Sequence, residues 1–166
     1  MLKRTLIISV AVAVLVLLCS VSVVGQDQKF AIKAAKGGTM EVELGRLATI
    51  KAHDAAVKSF GRRMITDHTE SGNKLKELAK RKGMRLSAVM DAAQHAEMKR
   101  LSKLRGVQFD RAYMEMMVAD HEKDVSEFEK QANSGNDRDF KAFAAEVLPT
   151  LKLHLELARE TAAKLK

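Results

Sequence analysis

The sequence predicts an all-α protein: a bundle of four long helices with a shorter helix crossing between two hairpins. Three observations carry this. The chain has one proline and 4% aromatic residues in 166 residues, with abundant Ala, Leu, Lys, Glu and Met and no strand-like run rich in Val, Thr and Tyr. Apolar residues recur at steps of three, four and seven over four long stretches, the period of a helix with one buried face. The breaks between the stretches hold residues that favour caps and turns.

The N-terminus is set apart. Lys3 and Arg4 precede an uncharged run from Thr5 to Val24, and Val23 and Gly25 supply the minus-three and minus-one residues of a cleavage site. Residues 1–25 therefore read as a secretory signal peptide and 26–166 as the mature domain, with retention as an N-terminal anchor the alternative. A lipid anchor on Cys19 is disfavoured by Leu18 before it. Cys19 is the only cysteine, so disulfides, thiolate metal sites and cysteine nucleophiles are excluded from the mature chain. Loss of Lys3 and Arg4 lowers the formal charge from +8 to +6. That basic balance suits an anionic envelope surface or envelope protein, and the secretory address argues against nucleic acid.

The first helical stretch runs from about Asp27 to Ala52, with Phe30, Ala34, Gly37, Leu44 and Ala48 on one face and Glu41 interrupting it. Gly37 and Gly38 are expected to bend or fray this helix, or to admit a close neighbour. The second runs from about Asp54 to Lys82, with Val57, Phe60, Met64, Ile65, Leu75 and Leu78 in its stripe, His68 at its middle and Gly83 as its stop. Residues 84–105 have a poorer stripe and read as the crossover, with Ser87 as N-cap. Its Arg100, Lys103 and Arg105, with Lys80, Arg81, Lys82 and Arg85 before it, concentrate positive charge. The third stretch begins near Gln108, with Asp110 placed to complement its dipole, and ends at the Asn133–Asn136 turn. His121 stands at the centre of its stripe of Met114, Met117, Val118, Val125 and Phe128. The fourth runs from Asp137 to the C-terminus, with Phe140, Ala144, Val147, Leu151 and Ala158 inward, His154 beside them, and a kink expected at Pro149. Two short connections and one long one give the plan of a ferritin-like bundle.

Glu41, His68, His121 and His154 each fall near the middle of a different helix. Central positions on packed helices come to similar heights, so the four can converge in the core. Three imidazoles and a carboxylate are a ligand set for one zinc, iron or copper ion. The competing reading is a set of core histidines hydrogen-bonded to carbonyls or to Asp67, Asp120 or Glu41. Met64 and Met117 stand one turn before His68 and His121, and with Asp67 and Asp120 are possible accessory ligands; thioethers beside imidazoles would suit Cu(I). His53, at a helix junction, and His95, in the crossover, are expected in solvent.

Enzyme readings are weakened by absences. Di-iron bundles carry a glutamate three residues before each ligand histidine, where this chain has Ile65, Val118 and Leu151. No zinc-protease motif, phosphate loop or serine nucleophile motif occurs, so no catalytic residue is assigned.

Four stretches, EVELGRLA at Glu41–Ala48, FGRRMITDH at Phe60–His68, FDRAYMEMMVADH at Phe109–His121 and LPTLKLHL at Leu148–Leu155, together resemble the family called domain of unknown function 4142. The resemblance implies an exported, ferritin-like four-helix bundle in a Gram-negative envelope. Some members are labelled outer membrane proteins, and no activity comes with the family. The leading reading is a periplasmic binding or accessory bundle that holds one metal ion without turnover. Its rivals are a metal-free structural or interaction protein of the envelope and, third, a redox or metal-storage enzyme.

Overall fold

The computed structural model describes the backbone of residues 2–165 and the side chains of residues 25–165. Lys3, Arg4, Cys19 and Val23, on which the signal-peptide reading rests, lie outside the described side chains. Among the described residues five helices follow one another: α1 (Leu2–Lys51), α2 (Ala55–Arg81), α3 (Ala92–Ser102), α4 (Gly106–Ser134) and α5 (Arg138–Lys164). α1 packs chiefly on α2 and α4 chiefly on α5, giving two hairpins joined by the long connection that carries α3. The four-helix bundle with a crossover helix is the architecture the sequence predicts.

Short hairpin turns are possible because aspartates start the returning helices. Asp54 accepts from the amides of Ala56 and Val57, and Asp137 from those of Asp139 and Phe140. Each satisfies two of the donors that a helix N-terminus leaves without an internal partner. The crossover helix is also started by an aspartate. Asp91 and Gln94 form a reciprocal capping box, so the N-cap is Asp91 and not Ser87, which lies in the non-helical stretch before it.

Each turn is also held from across the bundle. Asp110, fully buried near the start of α4, accepts from the backbone N–H of His53 at 3.0 Å and of Asp54 at 2.9 Å. Its carboxylate therefore ties the α1–α2 turn; no side chain caps α4 itself. Asp27, buried on α1, does the same for the α4–α5 turn, accepting from the N–H of Asn136 at 3.3 Å, the N–H of Asp137 at 2.9 Å and the Gln131 side chain at 2.6 Å. An interval of 83 residues separates Asp27 from Asp110, His53 from Asn136 and Asp54 from Asp137, so the two hairpins repeat one another.

Gly37 and Gly38 do not interrupt α1, which is continuous through both. Close approach occurs one to two turns later. A Cβ on Gly45 would lie 2.6 Å from the carbonyl oxygen of Gly61, and one on Gly61 would lie 2.9 Å from both Gly45 O and Ala48 Cβ. Glycine at these two positions lets the backbones of α1 and α2 touch. α5 likewise runs unbroken through Pro149, which faces solvent.

The apolar core is in two parts. One, at the α1–α2 turn end, gathers Leu44, Phe60, Met64, Tyr113 and Met117. The other, at the α4–α5 turn end, gathers Phe30, Leu75, Phe128, Phe143 and Leu151. The basic residues are divided in the same way. Lys82 pairs with Asp137 and Asp139, beside the α4–α5 turn. Leu101 and Leu104, on the α3 side of the crossover, pack at the opposite end with Ala52 and Phe109. The run from Lys80 to Arg105 is thus spread over the length of the bundle, not gathered into one patch, because the crossover travels from one end to the other.

Candidate metal centre

Between the two apolar parts lies a layer of polar side chains, one from each long helix: Glu41 of α1, His68 of α2, His121 of α4 and His154 of α5. All are buried, His121 and His154 fully. One ring nitrogen from each histidine lies within 4.8 Å of one from each of the others, and the ring centroids are 5.3–5.8 Å apart. Glu41 Oε2 is 3.0 Å from His68 Nδ1, and Oε1 is 3.4 Å from His121 Nε2. The four residues singled out from sequence are therefore together.

The hydrogen bonds leave ring nitrogens bare. His121 Nδ1 donates to the Met117 carbonyl at 2.9 Å, which can only accept, so the lone pair sits on Nε2. His154 Nε2 donates to Asp67 Oδ2 at 2.8 Å, which leaves Nδ1 for the interior. His121 Nε2, His154 Nδ1, His68 Nε2 and both Glu41 oxygens are buried with no aligned hydrogen-bond partner. Leaving so many buried polar atoms unpaired is costly, and native interiors rarely do it.

Electrostatics keep the imidazoles neutral. Burial lowers His68 well below its ordinary value, with His154 and His121 adding repulsion. Burial, then His154, takes His121 down to about 4, against a small upward effect of the Met117 hydrogen bond. His154 is lowered by burial despite its contact with Asp67. Glu41 moves the other way, raised well above the carboxylate range by burial and then by Asp124 and Asp120. The same burial that disfavours the charged form of each group thus disfavours protonated imidazoles and an ionised Glu41 alike.

That donor set fits a transition-metal ion. Imidazole nitrogens about 2.0–2.1 Å from a zinc ion stand no more than about 4.2 Å apart, so small ring rotations would close the cluster. Asp67, itself 3.7 Å from Arg63, holds the outer nitrogen of His154 in the way that an outer carboxylate orients a ligand histidine. Met64 and Met117 are fully buried within the apolar part that includes Phe60 and Tyr113. Asp120 contacts Lys123 at 3.5 Å. His53 and His95 are exposed, as expected.

Several neighbours have no single-residue signal in the sequence. Phe60 stands edge-to-face with the rings of His121 and His154, at centroid distances of 6.2 and 6.4 Å, closing the layer toward the α1–α2 end. Gly38 has His68 Nδ1 3.8 Å from where its Cβ would be. Asp124 is pushed up to about 6 by burial and by Asp120. It follows His121 by three residues, a spacing that places both on one side of α4. Two cavities meet at Glu41 and Asp124. One, of about 450 Å³, lies among α1, α2, α4 and α5 and also reaches His68. The other, of about 690 Å³, lies among α1, α3 and α4.

Residues 19–161 match the family described as domain of unknown function (DUF4142). No match is found among curated protein sequences. Among solved structures, a DUF305 fragment from Deinococcus radiodurans superposes with a TM-score of 0.74 at 14% identity, over 84% of this chain and 96% of that one. CopM in its Cu(II)-bound form gives 0.72 at 14% identity, over 84% and 97%. CopM in its Cu(I)-bound form gives 0.67 at 17%, over 81% and 93%. At such identities the likeness is one of fold.

Proposed function

Starting from the fact that this chain belongs to the domain of unknown function 4142 family, we propose that it is an exported envelope bundle that binds one transition-metal ion without turnover, using His68, His121, His154 and Glu41. The observation that carries the reading is the set of bare ring nitrogens, one on each histidine, buried beside the Glu41 carboxylate. Zinc, iron and copper all accept such donors, and copper has the added support of a similar fold in a protein solved with copper bound. Asp67 would orient His154, and the Met117 carbonyl would orient His121. Met64, Met117 and Asp120 are assigned no ligand role. Export rests on the charged start, apolar run and small-residue end of residues 1–25. Among the described residues no helix is long and apolar enough to cross a membrane.

The metal-free envelope reading required one basic patch, and the separation of Lys82 from Arg100–Arg105 weakens it. Elemental analysis and thermal melting of untagged mature protein distinguish the two. Binding of Cu²⁺ or Zn²⁺ to the folded state alone raises the melting temperature by mass action. His121→Ala abolishes that rise, whereas His95→Ala leaves it intact. Equal melting temperatures for chelated and metal-loaded wild type would end the metal reading.

A further inference from the structure

The hollow among α1, α2, α4 and α5 is walled differently from the cleft between α1, α3 and α4. Buried Leu75, Phe128, Phe143, Val147 and Leu151 supply its apolar side, with the rings of Phe128 and Phe143 6.1 Å apart. Among the described residues no aromatic side chain lines the other cleft, which carries the cations Lys33, Lys36, Arg100 and Lys123. Lys76 is the one cation lining the hollow, against Glu41, Glu43 and Asp124. At about 450 Å³ the hollow falls within the range of sites that take small organic molecules, which combine apolar walls with a few fixed polar groups.

Missing side chains make this space. Gly38 and Gly72 border the hollow from the interiors of α1 and α2, where glycine weakens a helix relative to alanine. Close packing does not call for either: a Cβ on Gly72 would meet nothing within 4 Å, and one on Gly38 only His68 Nδ1 at 3.8 Å. They differ in this from Gly45 and Gly61, which let the same two helices touch. The acids at the hollow have no lysine or arginine committed to its interior. Glu41 is buried, and its ion-pair contacts among the described residues are with the imidazoles of His68 and His121. Asp124 is half-buried, and the two lysines whose charge reaches it, Lys33 and Lys123, turn to Glu127 and Asp120. Glu43 pairs outward with Arg46. A carboxylate taken out of water without a cation is costly, so such a site gains most from a ligand that brings the positive charge on an apolar body.

We infer that the hollow is a binding site for a small organic cation, a primary amine with an aromatic body, held with its ammonium group at Asp124 and Glu41 and its ring against Phe128, Phe143 and Val147. The aromatic walls and the single lysine assign the ligand to this hollow and not to the cleft on the other side of the same two acids. The inference goes beyond the metal-binding reading and does not depend on it.

Isothermal titration of the protein, kept metal-free by chelator, with 2-phenylethylamine tests this. The amine should bind at one site per chain, about tenfold or more tighter than 2-phenylethanol, its neutral counterpart, while phenylacetate should not bind. Asp124→Asn should weaken the amine about tenfold. Gly38→Leu and Gly72→Phe, which add side chains at the hollow, should abolish binding, whereas Gly37→Leu, beside the other cleft, should leave it unchanged. All three glycine changes raise helix propensity, so melting temperatures at or above wild type show that lost binding is not lost folding. Equal affinity for the amine and the alcohol, no binding of the amine, or equal loss in Gly37→Leu would overturn the site. Because no metal is present in the titration, failure of the metal reading would leave this result standing, and failure here would leave the metal reading untouched.

Discussion

Replacing Gly45 by alanine should destabilise the bundle, although the same change in an ordinary helix interior stabilises by about 0.5–1 kcal/mol. The new Cβ would sit 2.6 Å from the Gly61 carbonyl oxygen, 3.1 Å from Ile65 Cγ1 and 3.2 Å from Met64 Cβ. The nearest of these is backbone and cannot rotate away. Restoring an ordinary contact means parting α1 from α2 by about 0.8 Å, and overpacking of this kind costs about 1–3 kcal/mol. After subtracting the helix-propensity gain, the net loss is about 0.5–2 kcal/mol, a fall in melting temperature of about 2–8 °C for a chain of this size. Gly37→Ala is the internal control, because nothing lies within 4 Å of its added Cβ; it should melt about 1–4 °C higher than wild type. The assay is thermal unfolding by circular dichroism in chelator. A Gly45→Ala variant that melts at or above wild type would refute the close-approach reasoning. The same seam sets Glu41 against His68, so Gly45→Ala should also weaken metal uptake where Gly37→Ala does not.

Further expectations concern pH and the turn ties. In metal-free protein the unfolded histidines take protons near their ordinary value of 6.5 while folded His121 does not until about 4. The unfolded state therefore binds more protons in that window, and acidification from pH 6.5 to 4 should remove about 3 kcal/mol through His121 alone, measurable by urea unfolding. Glu41, raised when folded, acts in the opposite sense, its cost growing as pH rises above the unfolded carboxylate value. The stability of Glu41→Gln relative to wild type should accordingly increase between pH 4.5 and 7, and a pH-independent difference would contradict the assignment. Asp110→Ala leaves the amides of His53 and Asp54 without their acceptor. It should cost about 1–3 kcal/mol, with faster hydrogen exchange at those two amides; exchange unchanged from wild type would show that the tie is dispensable.

Periodicity makes the four helices legible because each buries one face, and a stripe interrupted by a polar residue stands out against it. Glu41, His68, His121 and His154 were visible for that reason, and a common height in the bundle follows from their mid-helix positions. What periodicity cannot convey is which backbones touch. Gly37 and Gly38 form the conspicuous glycine pair in the sequence, yet the contact is made by Gly45 and Gly61, sixteen residues apart on two different helices. Asp110 sits where its own helix dipole would welcome a carboxylate, and its partners are instead two amides of a turn more than fifty residues earlier. Ser87 and Asp91 were both eligible caps for the crossover helix, and only the reciprocal bond to Gln94 decides between them. The basic run looked continuous because neighbours in sequence are not neighbours in space once the chain crosses the bundle.

The repeat interval marked by Asp27 and Asp110 reaches into the interior. Moved by the same 83 residues, Glu41 falls on Asp124 and His68 on Leu151, while His121 falls back on Gly38 and His154 on Ser71. All four of these counterparts border the cavity of about 450 Å³ among α1, α2, α4 and α5. The hollow is thus the mirror position of the histidine layer: a second berth in which glycine, serine and leucine stand where imidazoles would be, and only the acid is kept. A bundle folded from two like hairpins offers its core two equivalent places for a ligand shell. This chain furnishes one and leaves the other as open volume beside it, bordered on the shared side by His68 and Glu41, so that an ion held by the furnished half would have vacant space next to two of its own ligands.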